Sequence, residues 1–398
     1  MNTDKIMSAD AAHIMHTYGR LPVVPSHGKS ATLFDIEGKK YIDFTSGIGV
    51  NSLGFADKGW CDAVTSQAEK FAHVSNYYYC ETASLLAEKL TELTGLKKVF
   101  FANSGAEANE GAIKLARKYS FDKYGAGRHT VITLTDSFHG RTVTTLSATG
   151  QDKFHNYFFP FTDGFRFSPA NDIDALKAAV DDTVCAIMME PIQGEGGVNI
   201  VKDDFVKAVK DICDEKDILL IFDEVQTGVS RTGKFLASQY FGVDADIVTL
   251  AKGLGGGLPI GAFLAGSKCA ETLRPGDHGS TFGGNPVSCA AACEVVDRLS
   301  GEEAMNEILE KGKYISDAVR SFGLSSVVEV RGKGLMIGIQ VNCDPKLCLT
   351  EAVKNGLLIL TAGKDVVRLL PPLTITFPEI DEGLTILKKI LTSTGEEK

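Results

Sequence analysis

The sequence has no closely paired cysteines and no surplus of positive charge. Its nine cysteines include no C-x-x-C pair, and an odd number without regular spacing argues against a disulfide framework and favours a reducing compartment. The net charge of −10 argues against binding to nucleic acid or to an anionic membrane surface, because both favour basic patches. The composition therefore favours neither a disulfide-stabilised secreted protein nor a nucleic-acid-binding one.

Long apolar segments are also missing. No stretch is long enough to span a membrane, and the segment from Met1 to Gly19 lacks the apolar core of a signal peptide. We therefore expect a cytoplasmic protein without membrane contact. The 398 residues, 44% hydrophobic and 23% charged, are ordinary for a globular protein and sufficient for two domains.

A complete dinucleotide-binding fingerprint is absent as well. The stretch TLAKGLGGGLPIGA (249–262) supplies Gly253 and Gly255, but the third position of a G-x-G-x-x-G motif is Leu258. The following PIGAFLAG is typical of a strand rather than of a helix. Lys252, in the middle of this stretch, therefore needs another explanation.

The sequence does contain short apolar runs that alternate with helical segments. The strand candidates are KKVFF, HTVITL, TVCAIMM, DILLIF and ADIVTL. Branched runs of this kind, interleaved with helices, predict an α/β fold with a mostly parallel sheet between layers of helices. We expect a large domain over residues 56–298 and a smaller α+β domain over 299–398. An N-terminal segment with a hairpin, 1–55, is expected to pack with the smaller domain.

Polar residues follow these strands at the edge where parallel α/β sheets bind ligands. Ser104-Gly105-Ala106 lies at a strand-to-helix turn, which favours an anion, although a simple helix cap is the alternative. Asp223 ends a buried strand and can meet either a protonated ring nitrogen or a structural cation. Lys252 ends the next strand, where apolar surroundings favour a nucleophilic amine over an ordinary surface lysine. Phosphate, ring nitrogen and aldehyde would each have a partner, which predicts pyridoxal phosphate as cofactor.

Longer motifs carry a family resemblance over nearly the whole chain. They are FFANSGAEANEGAIKLAR, SFHGRTVTTLSATG, MMEPIQGEGGV, FDEVQTGVSRTGK, TLAKGLGGGLPIGA, GSTFGGNP and VRLLPPLTIT. With these motifs the chain resembles the class III pyridoxal-phosphate-dependent aminotransferases of fold type I, most closely those that act on acetylornithine. The resemblance implies a seven-stranded sheet in the large domain, and we expect no metal site.

The resemblance implies roles for the cofactor-binding positions. Lys252 would hold the cofactor covalently and move protons, and Asp223 would keep its ring nitrogen protonated. Gln226 would contact the ring hydroxyl, and Phe138 would stack on the ring. The phosphate would also meet Thr281 from the neighbouring subunit of a homodimer. The whole set is Ser104, Gly105, Ala106, Phe138, Asp223, Glu224, Val225, Gln226, Lys252 and Thr281.

The same resemblance implies four substrate-binding residues. Arg368 would bind the α-carboxylate of glutamate, and Glu195 would pair with Arg368 while the other substrate is bound. Arg141 would hold the carboxylate of acetylornithine or the distal carboxylate of glutamate, with Ser280 nearby. A purely structural ion pair is the alternative for Glu195 and Arg368.

The implied reaction moves the terminal amino group of N-acetylornithine to 2-oxoglutarate, a step of arginine biosynthesis. Aminotransferases for ornithine, succinylornithine, succinyldiaminopimelate or 4-aminobutyrate share nearly every motif and remain alternatives, as does a non-catalytic protein of the same fold. Candidates to shape the acetyl-binding wall are Ile48, Val50 and Tyr77–Tyr79. One departure from the family pattern is GFADKGW (54–60), which stands where family members often have His-Pro, and we expect only a local change there.

Overall fold

Helices and strands alternate along residues 2–396, the part of the chain that the computed structural model describes. The helices are α1 (Thr3–His13), α2 (Ser46–Gly49), α3 (Lys58–Lys70), α4 (Glu81–Thr94), α5 (Gly105–Tyr124), α6 (Val143–Ala148), α7 (Ile173–Ala179), α8 (Asp203–Lys216), α9 (Pro286–Leu299), α10 (Glu302–Ser321), α11 (Pro345–Lys354) and α12 (Phe377–Glu396). The strands are β1 (Pro25–Lys29), β2 (Thr32–Asp35), β3 (Lys40–Asp43), β4 (Lys98–Ala102), β5 (Thr130–Leu134), β6 (Phe165–Ser168), β7 (Val184–Met189), β8 (Ile192–Gln193), β9 (Asn199–Ile200), β10 (Leu219–Asp223), β11 (Ile247–Leu250), β12 (Gly261–Ala265), β13 (Val327–Lys333), β14 (Met336–Val341), β15 (Leu357–Leu358), β16 (Leu360–Ala362) and β17 (Val366–Leu369).

Seven strands form the large sheet, in the order β4-β12-β11-β10-β7-β5-β6. β12 is antiparallel to both of its neighbours, and the other six strands run in one direction. The prediction of an α/β fold with a mostly parallel sheet is confirmed. The predicted apolar runs correspond to β4, β5, β7, β10 and β11, and PIGAFLAG contains β12.

Both faces of this sheet are covered, as the side chains of β10 illustrate. Leu219 and Ile221 pack into a hydrophobic cluster with α5, whereas Leu220 and Phe222 pack into another cluster with α8. Successive side chains of a strand point to opposite faces. Burial on both sides therefore explains why the central runs show no polar alternation.

Two four-stranded sheets are built from the remaining parts of the chain, in the orders β1-β2-β3-β15 and β13-β14-β17-β16. The hairpin expected near residues 33–44 is formed by β2 and β3, and its turn contains Gly38 at φ 84°. β15 adds to β3 in parallel, with Leu357 opposite Ile42. The N-terminal hairpin and the C-terminal part thus share a sheet, while the domain boundaries at residues 55 and 298 stay a prediction.

Two further features of the fold concern its cysteines and its helices. Cys289 and Cys293 are both buried on α9, where they pack as small apolar side chains, and all nine cysteines are free. No helix within residues 2–396 combines the length and the apolar character needed to cross a membrane.

Candidate active site

A cavity of about 450 Å³ opens where the parallel strands of the large sheet end. Its wall contains residues at or shortly after the ends of β4, β5, β7, β10 and β11, because the carboxyl ends of parallel strands meet at one edge of a sheet. The predicted site residues in this wall are Ser104, Gly105, Ala106, Phe138, Arg141, Asp223, Val225, Gln226 and Lys252. The fold thus brings together side chains from separate parts of the sequence.

One predicted cofactor-binding residue points elsewhere. Glu224 does not line the cavity, and its buried carboxylate accepts hydrogen bonds from the backbone N–H groups of Ala237 (3.0 Å) and Ser238 (2.6 Å). Burial raises the pKa of Glu224, although these donors and Thr227 oppose the change. Its neighbour Asp223 faces the cavity because successive residues leave a strand end in opposite directions.

The start of α5 forms one end of the cavity. Ser104 is the N-cap of this 20-residue helix, and its Oγ accepts a hydrogen bond from the N–H of Glu107 at 3.2 Å. The cap does not exclude an anion site, since first-turn N–H groups such as those of Gly105 and Ala106 have no partner within a helix. A Cβ on Gly105 would lie 2.7 Å from Cγ1 of Val225, so a larger residue would disturb this wall.

Asp223 is held by several hydrogen-bond donors at the base of the cavity, the most distant being Oγ1 of Thr249 at 3.5 Å. Its carboxylate accepts hydrogen bonds from Nδ1 of His139 (2.7 Å), Nδ2 of Asn109 (2.8 Å) and the N–H of Val225 (3.0 Å). Only 3% of Asp223 is exposed, and a buried carboxylate is stable only with such donors. His139 and Asn109 were not predicted as site residues, because sequence gives no sign of which donors surround a strand-end carboxylate.

Lys252 follows β11 and faces the cavity with an unusual backbone. Its φ of 42° is in the left-handed region, which non-glycine residues rarely adopt outside functional sites. Burial lowers the pKa of Lys252, and the nearby Arg368 adds to this effect, whereas Glu195 and Asp223 oppose it. The net lowering favours the neutral, nucleophilic amine.

Most of the glycines after Lys252 pack against other parts of the protein. Nε1 of Trp60 donates a hydrogen bond to the carbonyl of Gly255 at 3.0 Å, and a Cβ on Gly256 would lie 2.8 Å from the same nitrogen. Gly257 lines the cavity. Trp60 belongs to GFADKGW, so this departure from the family pattern contacts the loop that carries Lys252 and is not confined to its own surroundings.

Glu190 is a further buried acid in the cavity wall. Burial raises its pKa to about 7, with a smaller contribution from Asp223, while His139 opposes the increase. Its carboxyl oxygens accept the N–H groups of Phe138 (3.1 Å) and Gly194 (3.2 Å). Glu190 therefore connects the loop after β5 with the segment that follows β8.

Arg368 and Glu195 form an ion pair beside the cavity, although 173 residues separate them. Nη1 of Arg368 lies 2.7 Å from Oε1 of Glu195 and also donates to Oε1 of Gln226 at 3.0 Å. Burial alone would raise the pKa of Glu195, but the Arg368 guanidinium, together with Lys252 and Gln226, outweighs burial, so that pKa is lowered. Arg368 is 2% exposed, and its Nε has no hydrogen-bond partner among residues 2–396.

The remaining predicted residues are at least partly exposed. Arg141 is exposed and forms neither a hydrogen bond nor an ion pair with any residue that the structure describes. Ser280 does not line the cavity, but its Oγ accepts a hydrogen bond from Nδ2 of Asn103, which does, at 3.1 Å. Thr281 is exposed and also lies outside the cavity wall.

The donor set fits pyridoxal phosphate. The free N–H groups at the start of α5 suit a phosphate, Asp223 suits a protonated ring nitrogen, and the amine of Lys252 suits an aldehyde. No cluster of three or more metal-binding side chains occurs within residues 2–396. The amine of Lys252 and the buried carboxylate of Asp223 equip the site to form a covalent bond to a carbonyl and to move protons.

Comparison with known proteins identifies the family. A family model described as aminotransferase class III matches residues 14–391. The chain belongs to the class III aminotransferases. The expected family is thereby confirmed, and with it the fold and the use of pyridoxal phosphate.

Relatives within the class III aminotransferases extend over nearly the full chain. The acetylornithine aminotransferase of Haemophilus ducreyi is 51% identical over 395 residues, which cover 98% of this chain and 100% of the relative. The solved N-acetylornithine aminotransferase of Stenotrophomonas maltophilia has a TM-score of 0.85 and 37% identity, covering 97% of this chain and 98% of its own. An ornithine aminotransferase of Toxoplasma gondii, with partial occupancy of PLP at its active site, has a TM-score of 0.95 and 34% identity, covering 100% and 95%.

Proposed function

We propose that this class III aminotransferase transfers the terminal amino group of N-acetylornithine to 2-oxoglutarate. The products are N-acetylglutamate 5-semialdehyde and glutamate, and the reaction belongs to arginine biosynthesis. The observation that carries the chemistry is one cavity that contains a lysine of lowered pKa, a buried aspartate and the start of α5. The choice of acetylornithine is supported by curated relatives of that activity at up to 51% identity.

The chain's own residues divide the work of binding the cofactor. Ser104 and the first N–H groups of α5 bind the phosphate, and Asp223, oriented by His139 and Asn109, binds the ring N–H. Pyridoxal phosphate supplies an electron-withdrawing ring that stabilises negative charge on the substrate carbon. Lys252 holds the cofactor and then carries the proton that leaves and rejoins the substrate, which needs its neutral amine.

Two arginines allow one cavity to accept two different substrates. Arg141 has free in-plane N–H groups for the carboxylate of acetylornithine or the distal carboxylate of 2-oxoglutarate. Arg368 binds the α-carboxylate of 2-oxoglutarate only when Glu195 yields its position. With acetylornithine bound, the Glu195–Arg368 pair stays closed, so no charge is left unpaired.

We further propose a homodimer in which the partner subunit's Thr281 completes the phosphate site. Tyr77, Tyr79 and Phe282 are 94%, 104% and 60% exposed, which is unusual for large aromatic side chains. They lie on one face, because Nδ2 of Asn76 donates to the carbonyl of Ser280 at 3.0 Å. A cytoplasmic location is proposed as well, in keeping with nine free cysteines.

The test of the reaction is a panel of amino donors mixed singly with the purified holoenzyme. Absorbance follows conversion of the cofactor to its amino form with acetylornithine, ornithine, succinylornithine and 4-aminobutyrate. We expect acetylornithine to react with the highest second-order rate constant, and faster reaction of any other donor would contradict the substrate assignment. Borohydride should attach the cofactor permanently to the wild type, so that it stays with the denatured protein, but should not attach it to the Lys252→Ala variant. Cofactor that stays with denatured Lys252→Ala after reduction would contradict the role of Lys252.

A further inference from the structure

The two arginines of the proposed substrate site are held in opposite ways. Nη1 of Arg368 is engaged by Glu195 and Gln226, so an incoming carboxylate must compete for it. Arg141 has no such partner among residues 2–396, yet its guanidinium is not without contacts. The guanidinium carbon lies 4.0 Å from the centroid of the Phe154 ring and 5.5 Å from that of Phe138.

The rings of Phe154 and Phe138 lie roughly at a right angle to each other beside the guanidinium of Arg141. Their centroids are 6.1 Å apart and their planes meet at 71°, an edge-to-face arrangement. Phe138 lines the cavity, whereas Phe154 does not. Phe154 therefore affects a ligand through Arg141 and not by touching the ligand.

The position of Phe154 is fixed by the residues around it. Phe154 ends a short 3₁₀ turn, Asp152–Phe154, which follows the buried Gln151. Nε2 of Gln151 donates to the carbonyl of Ser137 at 3.0 Å, and on the other side Nε2 of His155 bonds the carbonyl of Leu146 at 2.9 Å. Both ends of the turn are thus tied to the loop after β5 and to α6, which keeps the ring in place.

We propose that Phe154 is a positioning residue, which holds Arg141 at the cavity wall and thereby sets the preference for substrates with a carboxylate at that end. The inference rests on the proposed function, in which Arg141 binds this carboxylate. An aromatic ring contacts the face of a guanidinium and leaves its in-plane N–H donors free. An acidic partner would have occupied those donors and competed with the substrate.

The energetic effect is on binding and not on chemistry. A long arginine side chain loses rotamer freedom when a ligand fixes it, and this cost opposes binding. A ring that restricts the side chain beforehand removes part of the cost. Loss of the ring should therefore raise KM for carboxylate-bearing substrates and leave kcat nearly unchanged.

The experiment compares four single variants and one double variant, Phe154→Leu with Arg141→Gln, with the wild-type holoenzyme. Phe154→Leu removes the aromatic face, Phe154→Tyr keeps it, and Arg141→Gln removes the cation. Phe161→Leu is the matched control, because Phe161 contacts His155 but is not in contact with Arg141. The amino donors are acetylornithine and N-acetyl-1,4-diaminobutane, which lacks only the carboxylate and is measured as substrate or as competitive inhibitor.

We expect Phe154→Leu to raise KM for acetylornithine and for 2-oxoglutarate about 3- to 5-fold, the size of an exposed cation–π contact, with kcat within about twofold. Binding of N-acetyl-1,4-diaminobutane should not change. Phe154→Tyr and Phe161→Leu should behave as the wild type. Phe154→Leu should have no further effect in the Arg141→Gln background, because both changes act on one interaction.

Two outcomes would refute the positioning role. One is an equal loss for both donors, or a loss of kcat at constant KM, which would indicate a general structural effect. The other is an Arg141→Gln variant with a raised KM for acetylornithine beside a Phe154→Leu variant without one. If Arg141→Gln itself leaves KM unchanged, the carboxylate-binding role of Arg141 in the proposed function is wrong, and the role of Phe154 is wrong with it.

Discussion

Replacing Glu195 by glutamine is expected to improve binding of 2-oxoglutarate. The carboxylate of Glu195 lies 2.7 Å from Nη1 of Arg368, a buried side chain whose other described partner is Gln226. Hydrogen bonds to charged groups contribute about 1.5–3 kcal/mol and neutral ones about 0.5–1.5 kcal/mol. A glutamine still accepts a hydrogen bond from the charged guanidinium of Arg368 but lacks the attraction between opposite charges, so the pair loses about 1–2 kcal/mol of its strength.

The α-carboxylate of 2-oxoglutarate must replace this pair, so the loss appears as tighter binding. About 1–2 kcal/mol corresponds to a KM for 2-oxoglutarate that is about 5- to 30-fold lower. The KM for acetylornithine should stay within about twofold, because that donor leaves the pair closed. Since Arg368 lowers the pKa of Glu195, the carboxylate is charged throughout the neutral range, and the difference from the wild type should persist from about pH 6 to pH 8.

Steady-state kinetics with each substrate varied in turn measure this effect. Glu329→Gln is the matched control, since Glu329 pairs with Arg331 at 2.6 Å in the C-terminal sheet, with an exposed carboxylate. An unchanged or higher KM for 2-oxoglutarate in Glu195→Gln, with the protein folded, would refute the proposed competition and favour a structural ion pair.

Three further predictions concern stability, each measured by urea unfolding. Glu379→Gln should cost about 1–3 kcal/mol at pH 7, because the carboxylate accepts the N–H of Ala31 at 2.9 Å. Burial alone would raise the pKa of Glu379, but its hydrogen-bond donors outweigh burial and lower that pKa. The loss of stability in Glu379→Gln should therefore shrink as the pH falls below about 4, and a loss that is independent of pH would contradict this reasoning. Burial raises the pKa of Glu190 to about 7, so the folded state binds the proton more tightly than the unfolded state, and the wild type loses stability as the pH rises. The free energy of unfolding of cofactor-free Glu190→Gln, relative to that of the wild type, should therefore increase by about 3 kcal/mol between pH 4 and pH 8. A difference that stays constant with pH would contradict the raised pKa of Glu190. Gly111→Ala should destabilise by about 1–3 kcal/mol, because its Cβ would lie 2.2 Å from Cε1 of Phe263. The control Gly19→Ala lies in an exposed segment and meets no atom within 4 Å, so it should change stability by less than about 0.5 kcal/mol, and equal effects would exclude overpacking.

The central strands could be predicted because burial on both faces leaves a strong pattern in the sequence. β6, with the sequence FRFS, has no counterpart among the predicted strands, since this edge strand is short and partly exposed. The order of strands in the sheet and the reversed direction of β12 were also beyond the sequence. Both depend on which strands pair across long distances, and apolar runs do not encode their neighbours.

The residues of the candidate active site could likewise be predicted only in part. Lys252, Asp223 and Ser104 could be found because each polar residue interrupts an apolar run at a strand end. Their partners could not, since His139 and Asn109 reach Asp223 only after α5 and the loop behind β5 have packed. The assigned roles of the site residues stay predictions until the variants are measured.

The shared sheet of the N-terminal hairpin and the C-terminal part has a consequence for synthesis on the ribosome. The N–H of Ala31 cannot bond to Glu379 until synthesis has reached that residue, which follows 348 residues later. At about 5–20 residues per second this takes roughly 20–70 s. During that time β3 lacks β15, so one of its edges has unpaired backbone groups that can pair with another chain. This early-made hairpin is therefore a site through which the nascent protein can aggregate.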